Sequence, residues 1–359
     1  YLDYHQTPSG VFCVILGLEK RRKNTMHHDT WKGIILQKQG LLKPLSVQQI
    51  CQNLNGLQAQ FQPYVHVGFR NRMTVEDFYE GSWQEDLTRQ WSIRRTVHAY
   101  LKSEISLYIH EGRLASTDYL KIEGRDGFSP QTKQKYHQLI LEALEQGPMT
   151  REELKSLCRS EKMTLEEEKQ VFNAWGGLFR YMVERGEVYQ EYGAKRFHRL
   201  IDFQPLLREK AELEIARRYF AGFGPVSLAD ARYYFKENKS TVLNWMEQLD
   251  LKTVGVAGEE RFYLGELEEA ALPDCLFIAG FDQLLLGYEK KANPFFNPKY
   301  IRNIYTLTGI VKPVVFYKGR LVATWKRDKG TILLDIFEDI TQQEEKELNH
   351  YRQMYEKIL

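Results

Sequence analysis

The chain has little that would staple it covalently or hold it in a lipid bilayer. Its four cysteines (Cys13, Cys51, Cys158 and Cys275) lie far apart, with no C-x-x-C pair. That spacing argues against a disulfide framework or a zinc site and suits a reducing cytoplasm, the expected location. The longest apolar run, at 11–18, is too short to span a membrane. A surplus of one charge is also missing. Lys and Arg number 50 against 48 Asp and Glu, a formal charge of +2, so any nucleic-acid-binding face must be local. There is no G-x-x-x-x-G-K, no H-E-x-x-H and no nucleophile elbow with Ser, His and Asp. Nucleotide hydrolysis, zinc proteolysis and esterase chemistry are therefore poor matches. No metal or other cofactor is expected.

What is present is an ordinary globular composition, 43% hydrophobic over 359 residues, long enough for two to four modules. Residues 1–25 look foreign to the rest. The first Met is Met26, and Lys20 to Asn24 match a purine-rich, ribosome-binding-site-like stretch read in frame. This segment reads as a non-native or disordered extension. A secretory signal is the rival reading, but its basic cluster follows the apolar run and no A-x-A pattern comes after it.

One turn is written three times: Pro44, Ser46, Gln49; Pro148, Thr150, Glu153; and Pro225, Ser227, Asp230. Each predicts a helix start. The hydroxyl caps free N–H groups and the residue three later reaches back, as in a capping box. Helical patterns precede the turns at 31–40, 136–146 and 211–220. After the second turn the spacing predicts a helix over 172–184, then a hairpin from 187–192 and 195–200. After the third it predicts a helix over 241–249 and a hairpin from 252–256 and 261–264. Helix, turn, helix, helix, hairpin is the order of a winged helix. The first copy is less regular, with 91–101 as its candidate wing, and chance recurrence of a common helix start is the alternative. The tail reads as strands at 276–288 and 313–325 and a helix at 342–359.

Gly56-Leu-Gln58-Ala-Gln60, followed by Tyr64-Val65 and Gly68-Phe69, resembles the active-site segment of winged-helix DNA glycosylases of the AlkZ/YcaQ type. Arg94-Arg-Thr-Val-His98 resembles that family's R-x-T-L-H motif. Gly224-Pro225, the Gly280-Phe-Asp282 segment and Val322-Ala-Thr-Trp325 resemble later motifs, in order, to Trp325. The resemblance implies a mainly α fold with β-wings, three tandem winged helices and a C-terminal β-rich segment. In this chain the implied boundaries are 26–125, 126–205, 206–272 and 273–359. It further implies a monofunctional glycosylase, a monomer, acting on double-stranded DNA with N7-alkylated or cross-linked purines. Its catalytic Q-x-Q falls on Gln58 and Gln60.

Two amides suffice only for a particular substrate. Ordinary glycoside hydrolysis calls for two carboxylates, one of them to protonate the leaving group. An N7-alkylpurine is already cationic and departs without that proton. An amide oxygen can hold the attacking water and face an oxocarbenium-like sugar. If both glutamines touch the nucleotide, the segment should be extended or end a helix, since i and i+2 share a face on a strand but not on a helix.

Arg70, Arg72, Arg94 and Arg95 suit phosphate contact, with solvated charge as the alternative. His98 reads as facing the site or a phosphate, or as a structural histidine. Lys195 and Arg196 on the second wing and Lys318 and Arg320 on a C-terminal turn are further DNA-contact candidates, with His198 beside them. Asp282 is catalytic or a structural hydrogen-bonding partner. The aromatic residues fit core packing better than base stacking. The rival function is a non-catalytic tandem winged-helix regulator, although 172–184 and 241–249 are poor in basic residues; an interaction scaffold is a third reading.

Overall fold

The computed structural model describes residues 25–113, 119–121, 128–173 and 176–357. Of the expected extension at 1–25, residues 1–24 lie outside the described residues, as does Trp175. Each of the three repeated turns starts a helix in the expected way. Ser46 with Gln49, Thr150 with Glu153, and Ser227 with Asp230 form reciprocal capping boxes at the helices Val47–Leu54, Arg151–Ser160 and Leu228–Phe235. The same device, not singled out from sequence, starts Leu165–Val171 at Thr164 and Gln342–Glu356 at Thr341.

The elements recur in blocks. The second block runs Pro130–Gln146, Arg151–Ser160, Leu165–Val171, Gly177–Glu184 and the hairpin Val188–Gln190/Phe197–Arg199. The third runs Arg208–Gly222, Leu228–Phe235, Lys239–Gln248 and the hairpin Lys252–Val256/Glu259–Tyr263. In both, a residue just before the capped helix bridges the last hairpin strand: Met149 to Phe197 and Val226 to Phe262. The expected helix over 172–184 starts only at Gly177, because Gly176 and Gly177 both take positive φ and break it from the preceding helix.

The first block differs. After His28–Lys38 and Val47–Leu54 comes the short strand Leu57–Gln58, then two helices, Gln62–Arg70 and Val75–Glu80. The hairpin Leu87–Trp91/Val97–Leu101 follows, so the expected wing at 91–101 supplies only its second strand and the residues leading into it. Thr25 and Met26 belong to the third block's sheet, pairing in parallel with Gly255 and Val256.

The tail forms a four-stranded antiparallel sheet of Cys275–Ile278, Val314–Tyr317, Arg320–Asp328 and Thr331–Ile336, covered by the helix Gln342–Glu356. The strand expected over 276–288 ends at Ile278. Asp282 then caps a one-turn helix, Gln283–Leu286, through the Leu284 N–H. Phe277, Trp325 and Leu348 fill a small core under the terminal helix, separate from the main core that runs through the three blocks. Among the described residues, no helix is long and apolar enough to cross a membrane.

Candidate active site

The segment carrying the two glutamines is extended because of what precedes it. Asn55 ends the helix Val47–Leu54 in the left-handed region, and Gly56 continues at φ 76. A Cβ on Gly56 would lie 2.6 Å from the Ala99 carbonyl oxygen, so only glycine lets the chain come this close to the hairpin. Leu57 and Gln58 then pair with Ala99 and His98, and the Ala59 N–H donates to the Val97 carbonyl at 2.7 Å. Gln58 thus ends a short strand, and Gln60 follows two residues later in a bend. The next helix begins at Gln62.

Arg89 clamps this segment. Its Nε donates to the Ala59 carbonyl at 2.9 Å and its Nη2 to the Gln60 carbonyl at 3.4 Å, while its Nη1 reaches Gln190 of the second hairpin at 3.3 Å. Sequence reasoning missed Arg89. Within the strand Leu87–Trp91 nothing local marks which residue it will grip.

The two glutamines sit differently. Gln58 is 7% exposed, while Gln60 is half-buried and lines a cleft of about 760 Å³. Arg89, Arg95, Arg180 and Lys195 line the same cleft, with Glu152 as its one carboxylate among the described residues. The Gln60 side-chain amide makes no hydrogen bond within the described protein. A second cavity of about 440 Å³, lined by Arg94, Arg95, Arg113, Arg208 and Lys236, lies on the third-block side of the same hairpin turn. Arg95 is exposed and borders both.

Beneath Gln58 lies a polar network. Arg94, at φ 56, places Nη2 at 3.4 Å from Gln58 Oε1 and 3.1 Å from His98 Nε2. Its guanidinium also sits 4.7 Å from the centre of the Tyr234 ring of the third block. His98 Nδ1 donates to the Thr96 carbonyl at 3.1 Å. Burial, reinforced by the Arg94 charge, drives the His98 pKa well below that of an ordinary histidine. The imidazole is therefore neutral and adds no positive charge under Gln58.

Two expected DNA contacts, Arg72 and His98, need correction, and the others differ in how far the protein itself engages them. Arg72 is fully buried: it pairs with Asp282 and donates to the Gln39 and Gly68 carbonyls, so it faces no solvent. Asp282 is accordingly a structural partner. His98 is fully buried and cannot reach a phosphate. Lys318 and Arg320 are held by the terminal helix, through Glu347 at 2.8 Å and Glu344 at 3.1 Å, which neutralises both. Arg94 is turned inward. Arg196 donates to the Pro148 carbonyl, and His198 sits 3.5 Å from Glu191. Arg70 is half-buried against Phe78 and Tyr79. Of these candidates only Arg95 and Lys195 are exposed cations lining the cleft that holds Gln60. Among the described residues, no group of acidic, His or Cys side chains is arranged to hold a metal.

Comparison with known proteins gives a consistent result. The family model described as "DNA glycosylase AlkZ-like" matches residues 51–357. An interstrand DNA cross-link repair glycosylase of Streptomyces sahachiroi is 22% identical over 322 residues, covering 82% of this chain and 85% of the relative. The solved structure of Streptomyces sahachiroi DNA glycosylase AlkZ superposes with a TM-score of 0.70 at 20% identity, over 89% of this chain and 92% of that one. At that identity the structural likeness establishes the fold, a mixed arrangement of helices and small sheets.

Proposed function

The chain belongs to the AlkZ-like DNA glycosylase family, and from that membership we propose that it hydrolyses the N-glycosidic bond of cationic N7-alkylated purines in double-stranded DNA. Release of both tethered bases in an interstrand cross-link, which unhooks the strands, is the same reaction on a larger lesion. The three blocks of helices closed by a hairpin act as three winged-helix modules, with the C-terminal sheet as a fourth unit. The hairpin turn at 92–96 lies between the two basic cavities, so DNA lying across it meets cations on both sides.

The observation that carries this reading is the unpartnered Gln60 amide at the wall of the basic cleft. In the step it supports, water attacks C1′ and the C1′–N9 bond breaks. The bonding pair moves to the purine and cancels its positive charge, and the proton of the water passes to solvent. No acid is needed at the leaving group because alkylation has supplied the charge. Gln60 Oε1 accepts a hydrogen bond from the water and turns its dipole toward the positive sugar. A neutral purine receives too little help from an amide, which spares undamaged DNA.

The test is base release from a duplex carrying one N7-methylguanine, and strand separation of a cross-linked duplex. The wild-type protein should release the base. The double variant Gln58→Ala/Gln60→Ala should lose release while keeping its circular dichroism spectrum and duplex affinity. Full activity of that variant would refute the assignment.

A further inference from the structure

We infer that Arg94 is a positioning residue that sets the two glutamines to opposite tasks, Gln58 as hydrogen-bond donor to the lesion and Gln60 as acceptor for water. The inference rests on the functional reading above and concerns the same site.

A guanidinium carries only donors, so every atom it contacts must accept. The Gln58 atom 3.4 Å from Arg94 Nη2 is therefore its oxygen, and the His98 nitrogen at 3.1 Å carries a lone pair. A carbonyl only accepts, so the His98 atom facing Thr96 is the protonated Nδ1. The whole chain of contacts has one consistent assignment of hydrogens. It leaves Gln58 with its oxygen turned into the protein and its Nε2 amide as the group available to a substrate. Gln58 forms no other side-chain hydrogen bond among the described residues, and Nε2 is not among the buried, unpartnered atoms.

What fixes Arg94 comes from elsewhere in the chain. Its guanidinium lies over Tyr234, on the helix Leu228–Phe235. That helix is anchored by Asp230, fully buried, which receives hydrogen bonds from Arg261 at 3.0 Å and from the Glu289 N–H at 2.9 Å. The third block thus sets the orientation of an amide in the first. Gln60 has no such constraint: Arg89 holds its backbone and leaves its amide free.

The split predicts an asymmetry between two isosteric changes. A carboxylate at either position keeps an oxygen acceptor, at Gln58 for Arg94, but loses the amide donor. Gln58→Glu keeps the Arg94 contact and should lower kcat on N7-methylguanine by about 100-fold, the scale of losing one preorganised contact. Gln60→Glu, which keeps an oxygen acceptor for the water, should lower kcat far less than Gln58→Glu does. Arg94→Ala should lower kcat with duplex affinity held, and millimolar guanidinium ion should restore part of the rate where equal ionic strength of sodium chloride does not. Gln58→Glu as active as Gln60→Glu, or Arg94→Ala with wild-type kcat, would overturn the inference.

The geometry is also readable without catalysis, which separates this inference from the functional reading. Nitrogen-15 NMR should show His98 neutral and protonated on Nδ1, with Gln58 amide resonances that shift in Arg94→Lys. An Nε2-protonated His98 would overturn the inference even in a protein that cleaves every lesion offered.

Discussion

Arg72 and Asp282 meet in two parallel hydrogen bonds, both 2.8 Å long, and neither side chain is measurably open to solvent. The pair joins the end of the helix following the glutamines to the cap of a helix in the C-terminal segment, 210 residues away in sequence. It fixes the platform from which the Gln58–Gln60 segment extends. Removing one partner of such a pair leaves a buried, uncompensated charge, so Asp282→Ala should destabilise the protein by about 3–5 kcal/mol. Arg72→Met combined with Asp282→Leu should cost markedly less. Urea unfolding of the two variants beside the wild-type protein measures this, and equal losses would show that the charges contribute nothing beyond packing.

Gly56 brings the glutamines to the hairpin. Gly56→Ala must combine φ 76 with a Cβ at 2.6 Å from the Ala99 carbonyl. It should cost roughly 1–3 kcal/mol and displace Gln58, cutting kcat more than duplex affinity. Gly258→Ala is the control: it shares a positive φ of 82 but its Cβ meets nothing within 4 Å, and it should keep full activity. Comparing single-turnover rates at matched folded fraction separates local displacement from general instability.

Acid should weaken the fold before carboxylates titrate. Burial, with Arg113 and Arg208 nearby, pushes His110 from 6.5 down to about 4, and burial with Arg94 lowers His98 further from its usual range. Both groups bind protons more readily when unfolded. Their contribution is therefore complete above pH 6.5 and is lost as pH falls toward the folded value, about 4 for His110. Thermal melts across that window should show falling stability. His110→Asn, whose oxygen can replace the Nδ1 that accepts from the Gly112 N–H, should flatten the slope. An unchanged slope would remove His110 from this account.

Salt dependence distinguishes cations that face DNA from those already paired. Arg95→Ala and Lys195→Ala should each reduce the slope of log K against log salt by about 1. Lys318→Ala, which removes a charge held by Glu347, should leave the slope unchanged. Binding to a lesion-free duplex at several salt concentrations decides this, and the reverse ranking would move the DNA surface to the C-terminal sheet.

These results follow what local sequence can and cannot carry. Capping boxes were legible because Ser46, Thr150 and Ser227 act within four residues. The i, i+2 spacing called for an extended segment, and the strand reaches Gln58 while Gln60 lies in a bend. The break at Gly176 and Gly177 and the helical turn after Asp282 were not, because glycine conformation and a one-turn helix leave almost no periodic trace. Charges were hardest to read. Arg72 and Arg95 look alike in sequence, yet one is buried on Asp282 and the other faces two cavities. The difference is made by partners about 100 to 210 residues away, as with Arg89 and Gln190 or Arg94 and Tyr234, about 100 and 140 apart respectively.

In the proposed reaction the lesion supplies its own activation and two amides do the rest. The most direct measurement compares single-turnover base release from two otherwise identical duplexes, one with cationic N7-methylguanine and one with neutral hypoxanthine. N7-methylguanine should be released with hypoxanthine retained, and Gln60→Ala should lose that release. Equal release of both bases, or release of N7-methylguanine undiminished in Gln60→Ala, would contradict it.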